Sequence, residues 1–404
     1  MKIRPFNALR PRPDLAQVVA SVPYDVVDIN DVEKLTSTNK LSFLRIVRAE
    51  VDLPVSERDN LDAVHNKAAE NLKSFIDNDV FVREKTPSLY VYRLIKNGHS
   101  QHGVVACCFV EDYANNLIKR HEKTRADKEK DRATNISKLN THTGPVFLAY
   151  RNRKSIDNLV ESICATEPLY DFIAEDGIRN TVWRIEQTDE LINEFAEVPS
   201  FYIADGHHRA ASAVRVARER RVIEIATGEA EHDWFLTVIF PDDQLRILPY
   251  NRLISGLTDD EKKNVLSDLN ERFTVTKVAD GIPSEPGRVR VYFAGEWLEL
   301  QWEQVETSTL AEKLDTGIIQ NHLLAPVFGI EDPRTDARIN FIGGENSVPE
   351  LQRRVDAGIA DLAISFHPVS MKELLAVSDA EELMPPKSTW FEPKLRSGLL
   401  IHTF

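Results

Sequence analysis

Cysteine is nearly absent: a chain of 404 residues holds three, Cys107, Cys108 and Cys164. The first two are adjacent on an apolar stretch, where a strand turns them to opposite faces and keeps them from pairing with each other. Thiols this sparse suit a reducing compartment, so the expected location is the cytoplasm. No apolar run reaches the ~18 residues of a membrane span. Met1 to Leu9 is short and polar and contains Pro5, so it lacks the apolar core of a signal peptide. Glycine and proline, at 16 and 20, are too few for a fibrous or low-complexity chain. Positive charge is also short, and the net charge of −14 repels nucleic acid backbones and anionic membranes over most of the molecule. Neither partner is expected, and any polyanion has to meet a local basic site. Several motifs are missing as well: a glycine-rich Walker loop, Gly-x-Gly-x-x-Gly, zinc-type Cys/His spacing and a Gly-x-Ser-x-Gly elbow. The absence of the Walker loop excludes ordinary P-loop chemistry.

What remains is an ordinary globular composition, 42% hydrophobic and 28% charged, long enough for two or three folding units. Prolines at Pro11, Pro13, Pro23 and Pro54 break the first 60 residues into turns and short helices. A helix is expected over 56–76. Strands at 89–95 and 103–110 flank Asn97-Gly98, the strongest short hairpin signal. A second hairpin is expected around Asp176-Gly177. Strand 201–204 should lead into a helix over 207–221, and strand 234–240 should pair with 245–248. Beyond Ser255 the chain turns to a charged helix and a helix-strand-helix pattern over 348–377. The expected fold is α+β, a mixed sheet core with a smaller C-terminal α/β portion, divided into domains 1–255 and 256–404.

The most informative segment is Asp205-Gly206-His207-His208-Arg209, where an apolar strand ends in a carboxylate, Gly206 permits a tight reversal, and an alanine-rich helix follows. Helix N-termini attract phosphate through their first amides and the helix dipole, and His207, His208 and Arg209 add side-chain donors. Asp205 is then left to hold a divalent cation or orient a hydroxyl. The plain structural alternative is a helix cap on Asp205 with surface histidines. A metal centre made by Asp205, His207 and His208 is disfavoured, because adjacent helical side chains diverge by ~100°.

The second segment, 119–132, carries seven Lys/Arg and four acids in a chain that is acidic overall. On a helix His121, Arg125, Lys128 and Arg132 form one stripe, which suits an anion. The alternative is a solvated helix starting at Thr124 with Asp127 as its capping-box partner. Smaller signals are the Val22-Pro23-Tyr24-Asp25 turn, which most simply ties a loop down, and the closing Met384-Pro385-Pro386-Lys387-Ser388-Thr389 and Pro393-Lys394 runs.

Taken in order, Pro5-Phe6-Asn7-Ala8-Leu9-Arg10, Pro23-Tyr24-Asp25-Val26-Val27, the 121–132 run, Ala204-Asp205-Gly206-His207-His208-Arg209 and Met384-Pro385-Pro386-Lys387-Ser388-Thr389 resemble the bacterial domain-of-unknown-function family numbered 1015. The five residues Asp205 to Arg209 are also similar to the corner of ParB/sulfiredoxin-like proteins, among them kinases of free L-serine. That second resemblance implies a ParB/sulfiredoxin-like strand-turn-helix corner that binds nucleotide phosphate. It implies a small-molecule kinase that uses Mg²⁺ and moves a phosphoryl group from ATP or ADP to a hydroxyl-bearing amino acid. On this reading Gly206, His207, His208 and Arg209 hold phosphate and Asp205 serves catalysis and the metal. Glu122 is the general base, and His121, Arg125, Lys128 and Arg132 bind the nucleotide or neutralise charge. The alternatives are a metal-dependent phosphoesterase or nucleotide hydrolase, and a non-catalytic nucleotide-binding regulator.

Overall fold

Hydrophobic alternation and turn chemistry build the first sheet directly. In the computed structural model, which describes residues 1–223, 229–303 and 308–404, the chain folds as two compact units. One comprises 1–119, 124–245 and 393–404, and the other 120–123 and 246–392. A single boundary at 255 does not describe the return of 393–404 to the first unit. That return is made by backbone pairing distant in sequence, His402 with His142 and Leu9 with Ile401.

The first unit is a mixed nine-stranded sheet. Its strands are β1 (Ile3–Arg4), β2 (Leu89–Lys96), β3 (His99–Phe109), β4 (Ile118–Lys119), β5 (Val146–Tyr150), β6 (Tyr170–Ile173), β7 (Arg179–Ile185), β8 (Phe201–Asp205) and β9 (Trp234–Pro241). The order is β4-β8-β5-β9-β3-β2-β7-β6, with β1 on β3. β8 runs parallel to β4, and β9 runs parallel to β5. β2 and β3 close through Asn97 and Gly98, whose φ angles of 50° and 78° are those the two-residue hairpin turn needs. The expected pairing of strand 234–240 with 245–248 is not formed. β9 is enclosed between β3 and β5, and Ile247–Leu248 pairs with Trp390–Phe391 inside the second unit. A strand this apolar gains more from two neighbours in a central position than from one hairpin partner.

Three helices of this unit matter for the site: α1 (Leu61–Asp77), α2 (Ala126–Leu139) and α3 (His207–Ile223). α3 packs Ala210, Ala211, Ala213, Val214 and Ala217 into the core of the sheet, small side chains that let the helix approach closely. α2 lies against α3, with the Ser212 hydroxyl donating to the Glu129 carbonyl at 2.9 Å. The expected helical stripe His121, Arg125, Lys128, Arg132 does not exist as one element. The helix begins at Ala126 with Arg125 at its cap and no capping box from Thr124. Asp127 is held instead by Arg125, Oδ2 to Nη2 2.9 Å, so the charged run carried no start signal that outweighed this local ion pair.

The second unit holds a six-stranded antiparallel sheet, with helices Asp259–Arg272, Ser347–Asp356 and Met371–Asp379 close to where the sequence pattern put them. Thr258 and Ser370 cap the first and last through capping boxes. Among the described residues no helix is long and apolar enough to cross a membrane.

Candidate functional site

β8 ends in Asp205, which pairs with Phe147 of β5 after a register shift between Ile203 and Asp205. Gly206 follows at φ +97°, a conformation that L side chains rarely adopt. It occupies the N-cap position of α3, with the Ala210 amide donating to its carbonyl at 3.0 Å. The cap position that a purely structural reading gave to Asp205 therefore belongs to the glycine.

The geometry leaves Asp205 facing cations. Its Oδ2 accepts from Arg209 Nη2 at 3.2 Å and has Lys394 Nζ at 3.6 Å. Arg209 also donates through Nη1 to the Pro145 carbonyl. Burial works against the charge on this guanidinium, while Asp205, then Asp25 and Tyr24, favour it, and the outcome lies above the ordinary arginine value. His207 is buried and His208 half-buried in the first turn of the same helix.

Arg132 joins this corner from α2. Its guanidinium sits 4.7 Å from the Tyr24 ring centroid and pairs with Asp131, Nη2 to Oδ2 2.6 Å. Burial alone raises the Asp131 carboxyl, but the His65 hydrogen bond at 3.0 Å and Arg132 pull it down to about 2. Tyr24, Arg132, Asn135, His142, Arg209 and Ser397 line a small internal space of about 30 Å³, room for one or two waters. Tyr24 is pushed above the usual phenol range by burial first and by Asp25 next.

The structure thus brings Asp205, Gly206, Arg209 and Arg132 together with His207 and His208. Arg125 and Lys128 belong to the same unit but are exposed at the start of α2. His121 and Glu122 belong to the second unit. There the His121 carbonyl accepts from the Met384 amide at 2.8 Å, and His121 Nε2 lies 3.3 Å from Thr389 Oγ1. Glu122 Oε2 accepts from the Lys387 amide at 3.4 Å, and its side chain lines a cavity of about 640 Å³ with Glu312, Glu331, Glu382 and Arg334.

Sequence reasoning treated Tyr24 and Asp25 as a tied loop and left Lys394 out of the site. The Pro-Tyr-Asp turn carried a signal, an aromatic beside a carboxylate on a rigid turn. The Pro393-Lys394 run carried only a compositional signal, and nothing local ties Lys394 to Asp205. Among the described residues no three His, Cys, Asp or Glu side chains gather into a metal-holding group, so Asp205, His207 and His208 do not form a three-ligand centre.

Solved structures resemble the chain at low identity. A conserved hypothetical protein from Pyrococcus furiosus aligns over 73% of this chain and 95% of its own, at 12% identity and a TM-score of 0.36. SbnI with C-terminal truncation from Staphylococcus aureus aligns over 74% and 87%, at 11% identity and 0.38. A free serine kinase in complex with AMP aligns over 73% and 92%, at 11% identity and 0.37. At TM-scores this low the likeness carries no residue correspondence, and chemistry has to be read from the side chains. No curated protein matches the chain. The family described as "Protein of unknown function (DUF1015)" matches residues 3–317, and the chain belongs to that family.

Proposed function

We propose that this protein is a cytoplasmic phosphotransferase that moves a phosphoryl group from ATP or ADP to the hydroxyl of a small amino acid, free L-serine first among them. The observation that carries the reading is the fixed carboxylate of Asp205, set between Arg209 and Lys394 at the N-terminus of a 17-residue helix. Phosphoryl transfer asks little covalent chemistry of the protein; it asks for cations around the transferring group and a carboxylate for the metal or the acceptor. The first-turn amides of α3, with His207, His208 and Arg209, are the phosphate cradle on this reading, and Arg132 and Lys394 add positive charge. Arg125 and Lys128, exposed on α2, are proposed to meet the outer part of the nucleotide.

A Mg²⁺ ion suits one carboxylate because it commonly keeps water and substrate phosphates as its other ligands. When bound it would neutralise charge on the phosphates, and Asp205 is the residue proposed to hold it. Glu122, expected from the sequence as the base for the acceptor hydroxyl, belongs to the second unit and not to the unit that holds Asp205. The nucleotide is assigned to the portion expected at 1–255. Three free thiols, two buried side by side on β3, support a reducing compartment.

A thermal-shift series with ADP, ATP, Mg²⁺ and free amino acids tests this, since ligands of the native state raise the melting temperature by mass action. Nucleotide with Mg²⁺ should stabilise and serine should add a further shift, whereas duplex DNA and RNA should do nothing at physiological salt. Absence of any nucleotide shift contradicts the reading.

A further inference from the structure

We propose that Asp25 is a further catalytic residue of the Asp205–Arg209 corner, the group that takes the proton from the acceptor hydroxyl. The assignment rests on the phosphotransferase reading and deepens it.

Four observations place Asp25. The Pro23–Val26 segment is a turn, with the Val26 amide 3.4 Å from the Pro23 carbonyl. Arg48 braces it by donating to the Tyr24 carbonyl at 3.0 Å and to the Val27 carbonyl, so the backbone on both sides of Asp25 is held. Tyr24 lies under Arg132 at 4.7 Å and, with Pro23, walls the same small space that Arg209 and Arg132 line. Asp25 itself is exposed and makes no hydrogen bond or ion pair with any described residue.

The neighbouring carboxylates are committed elsewhere. Asp205 holds Arg209 and Lys394, Asp131 holds His65 and Arg132, and Glu129 faces Arg215 at 3.9 Å. Asp25 is within electrostatic reach of Arg209, where it ranks after Asp205 among the charges that favour the guanidinium. An exposed carboxylate on a braced turn beside a cationic corner is what a general base for a small alcohol requires: open lone pairs and a fixed position.

The acceptor oxygen forms a bond to the terminal phosphorus, and the bond from that phosphorus to the bridging oxygen breaks. The nucleotide leaves with that electron pair, and the hydroxyl proton passes to an Asp25 carboxylate oxygen. Asp205 keeps the cation side of the reaction, so the two carboxylates have separate duties within one unit.

The experiment compares wild type, Asp25→Asn, Asp205→Asn and Glu122→Gln, with phosphoserine followed by ³¹P NMR and nucleotide binding followed by thermal shift. Asp25→Asn should retain the shift given by ADP with Mg²⁺, while kcat falls at least ~10²-fold. Wild-type kcat in Asp25→Asn, or a fall confined to Glu122→Gln, overturns the assignment alone. A wild type that forms no phosphoserine and shows no nucleotide shift overturns the parent reading, and this assignment with it.

Discussion

Arg209 reaches back four residues to Asp205, with Nη2 3.2 Å from Oδ2, and Lys394 approaches the same oxygen at 3.6 Å. One carboxylate therefore holds two cations, one from the helix it precedes and one from the closing segment of the chain. Asp205→Asn leaves those cations facing each other with a neutral amide between them. It should destabilise the protein by about 1–3 kcal/mol, the scale of a partly buried pair losing its anion, even though Asn is sterically matched. Urea unfolding checks this, and an unchanged midpoint would mean that the contact holds nothing in place.

Gly206 sets the angle between strand and helix. A Cβ there would lie 3.0 Å from Arg209 Nε and 3.1 Å from Cζ, on a backbone at φ +97°. Gly206→Ala should lower stability by about 1–3 kcal/mol from backbone strain alone, and it should displace Arg209 from Asp205. The expected outcome is a loss of both melting temperature and nucleotide-induced shift. Loss of neither contradicts the cradle geometry.

His142 and His402 face each other across the paired segments Thr141–His142 and His402–Thr403, Nδ1 to Nδ1 3.1 Å, so one ring donates and the other accepts. Burial is the largest cause that lowers both; His402 and Arg220 push His142 further down, and Glu231 partly restores His402. Both folded-state values lie below the ordinary 6.5. The neutral pair's contribution is therefore complete above about pH 6.5 and is lost as pH falls through the folded values. Thermal unfolding should show a stability decline on acidification below that point, and His402→Gln should flatten it. An identical slope in the variant would contradict the assignment.

Asp315 has the opposite sign. Burial, with a contribution from Glu373, raises its carboxyl to about 7, although the Gly287 amide donates to it at 2.9 Å. A raised acid favours the folded state below its unfolded value of 3.8 and loses that support as pH rises to about 7. Asp315→Asn should melt close to wild type at pH 4 and increasingly above it up to pH 7, level thereafter. A difference independent of pH would count against this.

The local elements were legible because their signals are local. Asn97-Gly98 names its own turn, Asp176-Gly177 lies between strands that pair as expected, and Phe201 to Ile223 reads as apolar strand, glycine reversal and alanine-rich helix. Pairings far apart in sequence were not legible. His402 against His142 and Lys394 against Asp205 depend on chain return, which periodicity does not encode. The basic run misled for a different reason: charge period marks a solvated helix face, and it could not reveal that Arg125 ends at a cap and His121 in another unit. Tyr24 and Asp25 were visible as residues, but the surroundings of Tyr24 depend on Arg132 and Arg209 arriving from two helices.

Transfer itself is the most direct measurement: the protein is incubated with γ-labelled ATP, and separately with β-labelled ADP, together with Mg²⁺ and free serine, and the products are followed by ³¹P NMR. The account predicts a phosphoserine signal that depends on serine and falls at least ~10²-fold in Asp205→Asn. Inorganic phosphate released at the same rate with or without serine, or full transfer in Asp205→Asn, would contradict it.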